Sequence, residues 1–207
     1  MNEVLFKIFF SIPDKIRRLF YYKLQNYIAH IYLRNKGVIY DRDNIKFNGM
    51  PILEISKDSV CRIGSGFICT SSPHIGIDVI RSKIYVKSQA KLYIGNYSGM
   101  TSTVILCTNQ ITIGSYVNIG GGCMIMDSNF HSLNWEDREN RKVDIERAKS
   151  KSVTIEDYVF IGARCVICKG VTIGARSIIA AGSVVVCDIP ADCIAGGNPC
   201  KVIKRLH

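Results

Sequence analysis

His131 is the side chain in this sequence best suited to moving a proton at neutral pH. It closes the run Met126-Asp127-Ser128-Asn129-Phe130-His131, a D-x-N-x-H stretch. An imidazole titrates near ~6.5, so it can accept a proton from a hydroxyl under ordinary conditions. Asp127 and Asn129 could orient that ring or bind hydroxyls, and both residue types also shape turns. Trp135, the only tryptophan, follows four residues later and could stack on a bound ring or anchor the chain around it. Cys165 and Cys168 form C-x-x-C, but no second pair accompanies them, and a structural zinc needs four ligands. His30, His74 and His207 share no motif with His131. No metal site is expected.

The elements that must position His131 are repeats. Ile155, Ile161, Ile167, Ile173, Ile179 and Val185 recur every six residues, and Ile113, Ile119 and Ile125 form an earlier set in the same phase. Gly follows the aliphatic residue at Gly114, Gly120, Gly162 and Gly174. A small or modest side chain comes four residues after it, as at Cys123, Val159, Cys165 and Ser183. Ile55 to Ile63 and Val86 to Ile94 share a looser spacing of eight. A period of six fits neither a helix nor a flat two-sided sheet. It predicts a coil of short strands joined by corners, three hexads to a triangular turn, with the aliphatic residue inward. Gly then serves either close backbone approach or positive φ. Both C-x-x-C cysteines fall at ordinary positions of this wall.

The rhythm stops after Ile125 and resumes near Val153. Between 136 and 151, eleven of sixteen residues are charged, so the stretch about 126–152 is read as a loop extruded from the coil. Long loops in compact repeats are commonly functional.

Composition agrees. The 207 residues include 31 Ile and 16 Val against 9 Leu. That balance favours an all-β chain and excludes a helical bundle. Nine scattered cysteines, an odd number, read as small apolar residues in a reducing compartment, hence a cytoplasmic protein. Net charge is +10, which favours anionic partners, yet no basic recognition helix or RNA-binding signature suggests nucleic acid.

Residues 1–36 differ from the rest. Apolar residues at helical spacing predict two helices broken near Pro13, the second from about Pro13 to Arg34. Seven basic residues stand against two acidic ones. The segment is read as a cap on the coil or a packing surface between subunits. Peripheral contact with the inner face of a membrane stays open beside those readings. Neither a cleavable leader nor a spanning segment is expected. The expected organisation is a helical segment, 1–36, and a coil domain, 37–207.

The I-G-x-x-x-x hexads, with Ala180-Ala181-Gly182-Ser183-Val184-Val185 and Ala195-Gly196-Gly197-Asn198-Pro199-Cys200-Lys201-Val202-Ile203, resemble the hexapeptide-repeat acyltransferases. The likeness runs from about 92 to 205 and is strongest to the sugar O-acetyltransferases of surface-polysaccharide synthesis. It implies a left-handed parallel β-helix, an exception to the usual right-handed crossover. It implies transfer of an acetyl group from acetyl-CoA to a hydroxyl of a saccharide, in capsule, exopolysaccharide or lipopolysaccharide synthesis. His131 would act as general base, with direct attack on the thioester. Asp127 joins it as a catalytic candidate, and Asn129 and Trp135 as substrate-binding ones. Ala163 and Ala181 match positions along which coenzyme A lies, and Lys201 and Lys204 match those that meet its 3′-phosphate. The family works as homotrimers with sites between subunits. The saccharide could be lipid-linked; a serine or xenobiotic O-acetyltransferase and an inactive binding or scaffold protein on the same coil are the alternatives.

Overall fold

The computed structural model describes residues 13–42, 44–71 and 81–206. The first expected helix, His74 and His207 lie outside the described residues. The rest builds a three-sided coil. One face carries six strands, from Ile39–Tyr40 to Thr172–Ile173. The second carries eight, from Lys46–Asn48 to Lys201–Arg205, and the third six, from Ile52–Ile55 to Val184–Val185. Neighbouring strands are parallel throughout, except the last, where Lys201–Arg205 runs antiparallel to Cys193–Gly196. The fold is the left-handed parallel β-helix of hexapeptide repeats.

Register shows how the period of six makes this shape. Ile113 stacks on Ile155 and Ile155 on Ile173. Ile119, Ile161 and Ile179 stack on the second face, and Ile125, Ile167 and Val185 on the third. Three hexads therefore close one turn. The inward residue of each is buried, and together these residues fill the axis. Burying one such side chain stabilises the fold by about 1.5–3 kcal/mol. The looser spacing of eight belongs to longer strands, since Ile55 pairs with Val86 and Ile63 with Ile94.

The two possible uses of glycine separate. The glycine after each aliphatic residue permits close approach: a Cβ on Gly162 would lie 2.6 Å from the Ala181 nitrogen. Positive φ falls two residues later, at Tyr116 (58°), Tyr158 (61°), Arg164 (58°) and Arg176 (60°), and at Gly122, Gly170 and Gly182.

Helix α1, Asp14–Asn35, begins after Pro13 and covers one end of the coil with its last turns only. Ala29, His30 and Leu33 are buried there. Asn26 Oδ1 accepts from the Phe47 amide at 2.9 Å, and the Tyr32 hydroxyl donates to the Leu53 carbonyl.

The loop leaves the corner between the third and first faces, after Met124–Met126. Its stems pair: Asn129 N donates to Lys149 O and Lys151 N to Asp127 O. Between them lie a 3₁₀ turn, Glu136–Glu139, and helix α2, Arg141–Arg147. Asn140 caps α2 by accepting from the Lys142 and Val143 amides. The wall then resumes in register, Val153 beside Ile111.

Candidate active site

His131 stands just past the loop's stem, with its side chain 68 % exposed. Its Nδ1 lies 2.6 Å from Asp144 Oδ2, on α2. The other oxygen, Oδ1, accepts from the Ser132 amide at 2.7 Å. The hydrogen bond with His131, then the one from Ser132, holds the Asp144 carboxyl below its ordinary range. An ionised carboxylate can only accept, so Nδ1 carries the proton of a neutral ring and Nε2 is left with its lone pair. That is the tautomer a base requires.

Asp144 is itself held by a polar cluster. Ser132 Oγ donates to Asp137 Oδ2 at 2.6 Å, and Arg147 pairs with Asp137 Oδ1 at 2.6 Å. Arg138 donates to the Ser132 carbonyl at 2.7 Å. Asp137 and Asp144 are buried although they lie in the most charged stretch of the chain. Buried carboxylates persist only where donors meet them, and here each has at least two.

Two cavities flank the ring. One, of ≈ 490 Å³, is lined by Asn129, His131, Leu133, Arg138, Cys168 and Lys169 among others. The other, of ≈ 380 Å³, includes Tyr85, Lys87, Phe130, Arg141 and Asp144. Both walls are cationic, which favours anionic or strongly polar guests.

Asp127, expected as a catalytic candidate, requires correction. It is fully buried, and both oxygens are taken at the preceding corner of the coil. Oδ1 accepts from the Thr108 amide and hydroxyl at 2.8 Å each, and Oδ2 from the Asn109 amide at 2.7 Å. It clamps the loop to the wall, and the carboxylate on His131 is Asp144. Asn129 does share a cavity with His131. Trp135 lines neither cavity and is 63 % exposed, so it does not anchor the loop.

Ala163 and Ala181 occupy successive coils at the corner between the second and third faces, where Gly182 N donates to Ala163 O at 2.8 Å. Lys201 and Lys204 are exposed on the antiparallel strand that edges the second face. Ala163 and Ala181 therefore sit at a different corner of the chain from His131, and Lys201 and Lys204 on a strand at the edge of the second face. Cys165 points inward and is buried, whereas Cys168 lies on the cavity beside His131, its thiol pushed up by burial. Among the described residues no three His, Cys, Asp or Glu side chains are gathered as metal ligands.

Ser132, Asp137, Asp144 and Arg147 had no sequence signature. The one usable hint was Asn140 four residues before Asp144, a capping residue that announces a helix inside the loop.

The sequence profile of the bacterial transferase hexapeptide repeat (six repeats) matches residues 152–187. The galactoside O-acetyltransferase of Escherichia coli K12 is 33% identical over 129 residues, 62% of this chain and 61% of that relative. A hexapeptide-repeat-containing acetyltransferase of Vibrio cholerae, solved with acetyl coenzyme A, is 38% identical with a TM-score of 0.51. That match covers 56% of this chain and 61% of the other. A maltose O-acetyltransferase of Clostridium difficile is 32% identical, again with a TM-score of 0.51, covering 56% and 59%. The chain thus spans about three fifths of the length of these relatives. Residues 152–187 thus carry the repeat of the bacterial hexapeptide transferases, on a left-handed β-helix whose strands stack in the register that repeat sets.

Proposed function

We propose that this chain transfers an acetyl group from acetyl-CoA to a hydroxyl of a saccharide, in the synthesis of a surface polysaccharide. The observation that carries the reading is the His131–Asp144 pair, an imidazole fixed by one nitrogen at the mouth of two cavities. The names of the relatives, a galactoside and a maltose O-acetyltransferase, supply the class of donor and acceptor.

The acceptor hydroxyl gives its proton to His131 Nε2 while its oxygen bonds to the thioester carbonyl carbon. The tetrahedral intermediate then collapses and the carbon–sulfur bond breaks. The imidazolium returns the proton to the departing thiolate, leaving an acetyl ester and free coenzyme A. Asp144 holds tautomer and orientation throughout. An acyl-enzyme is unnecessary, and Cys168, the cysteine lining a cavity beside His131, is poorly suited to form one because burial pushes its thiol pKa up. Ala163 and Ala181 would border the pantetheine arm, and Lys201 and Lys204 would meet the 3′-phosphate. That Ala163 and Ala181 lie at a different corner from His131 supports a site shared between subunits, and the working unit proposed is a homotrimer in which His131 of one subunit faces the groove of the next.

His131→Ala should lower kcat by roughly 10²–10⁴-fold while leaving coenzyme A binding and the melting temperature nearly unchanged. Near-parental kcat on an accepted saccharide would overturn the assignment. Mixing His131→Ala with Ala181→Trp subunits should restore activity through hybrid trimers, whereas two inactive variants that stay inactive when re-assembled together would count against a shared site.

A further inference from the structure

Helix α1 turns two apolar faces outward from its axis, and the coil uses only one. Ala29, His30 and Leu33 are buried against the coil's end. Ile16, Phe20, Leu24, Tyr27, Ile28 and Ile31 stay exposed, Phe20 at 63 %. Their spacing of three and four residues sets them in one stripe. At ~100° per residue that stripe lies on the side of the helix away from the docked face. Capping therefore accounts for the last turns of α1 and leaves the stripe without a partner among the described residues.

We propose that this stripe docks α1, lengthwise, on an anionic lipid surface. Charge selects lipid over a second copy of the chain. From Asp14 to Asn35 the sequence has five basic residues and one acidic, and Lys23 and Arg34 are exposed on the helix. Another copy would bring the same excess of positive charge to the contact, while an anionic leaflet neutralises it. Tyr21 and Tyr27, both exposed, suit the boundary between headgroups and acyl chains. No described helix is long and apolar enough to cross a membrane, so α1 lies on the surface. The proposal is independent of the transferase reading, because an inactive chain would bind lipid equally.

Flotation of the full chain with liposomes tests it. The chain should float with phosphatidylcholine–phosphatidylglycerol liposomes, float weakly with phosphatidylcholine alone, and be released in part by high salt. The double variant Phe20→Gln/Leu24→Gln, altered only at exposed positions, should keep its circular dichroism and melting temperature and bind roughly tenfold less. Failure to float with anionic liposomes, equal flotation with neutral ones, or parental binding by the folded double variant each overturns the proposal. A parent that ignores liposomes, with a double variant of smaller mass by light scattering, would assign the stripe to a second copy instead.

Discussion

The coil wall and the loop it extrudes are held by opposite means. In the wall each coil repeats its neighbour: Ile155, Ile161 and Ile167 do the same work on three faces, and any one of them is backed by copies above and below. In the loop nothing repeats. His131 depends on Asp144, Asp144 on Ser132, Ser132 on Asp137, and Asp137 on Arg147, each through a single contact. Redundant apolar packing makes a rigid frame, while a chain of specific polar contacts sets one group at one angle. Damage to the first should appear as lost stability, and damage to the second as lost activity.

The largest stability effect is expected from Ile161→Ala. It empties a fully buried axial position and should cost about 2–5 kcal/mol, read by chemical denaturation, with kcat of the surviving native protein unchanged. Asp127→Ala comes next. It removes the charged acceptor that the Thr108 and Asn109 amides share, at about 1.5–3 kcal/mol, and tests the corrected role of this residue. Should it lower kcat in a fully folded sample while leaving stability intact, Asp127 belongs with the site after all. Asp144→Asn should show the reverse pattern, a roughly 10–100-fold loss of kcat with little change in melting, because the amide can donate to Nδ1 and stabilise the wrong tautomer. Lys201→Ala and Lys204→Ala should each raise the KM for acetyl-CoA by roughly tenfold, about 1.4 kcal/mol, and dephospho-coenzyme A should erase that difference.

Acidification sharpens the contrast further. Asp144 has its pKa lowered on folding, chiefly by the bond with His131. Its contribution to loop stability is therefore complete above the unfolded carboxylate value near ~3.9 and lost as pH falls through the lower folded value. In His131→Ala the largest cause of the lowering is gone, so the loop should release at higher pH. The fluorescence of Trp135, the sole tryptophan and part of the loop, reads that release separately from the coil.

The hexads made the coil legible because every turn repeats the same inward demand, and noise at one position is corrected at the next. The use of each glycine was not legible: Gly162 could have supplied positive φ, and only stacking against Ala181 shows that it supplies room. Left-handed corners at Tyr116, Tyr158 and Arg176 were hidden, since nothing about those residue types announces positive φ. For the site, His131 was legible as the residue that opens the loop. Its carboxylate was not, because Asp127 is nearer in sequence while α2 folds Asp144 back to it in space. Among eleven charges in sixteen residues, no periodicity distinguishes a partner from a solvated side chain.

The backbone hydrogen bonds of the wall run from coil to coil. Gly114 donates to Ile155, Gly162 to Ile179 and Ala180 to Ala195, so each coil is sealed only when both neighbours are in place. Opening must then begin at an end. Under native conditions amide exchange should follow position along the axis: fastest in Lys201–Arg205, which has one neighbour, and slowest in the middle coils around Ile111 and Val153. The loop's stem hangs from that slowest region, between Met124–Met126 and Val153–Ile155. A protein fraying at both tips would lose its outer coils before His131 lost its seat.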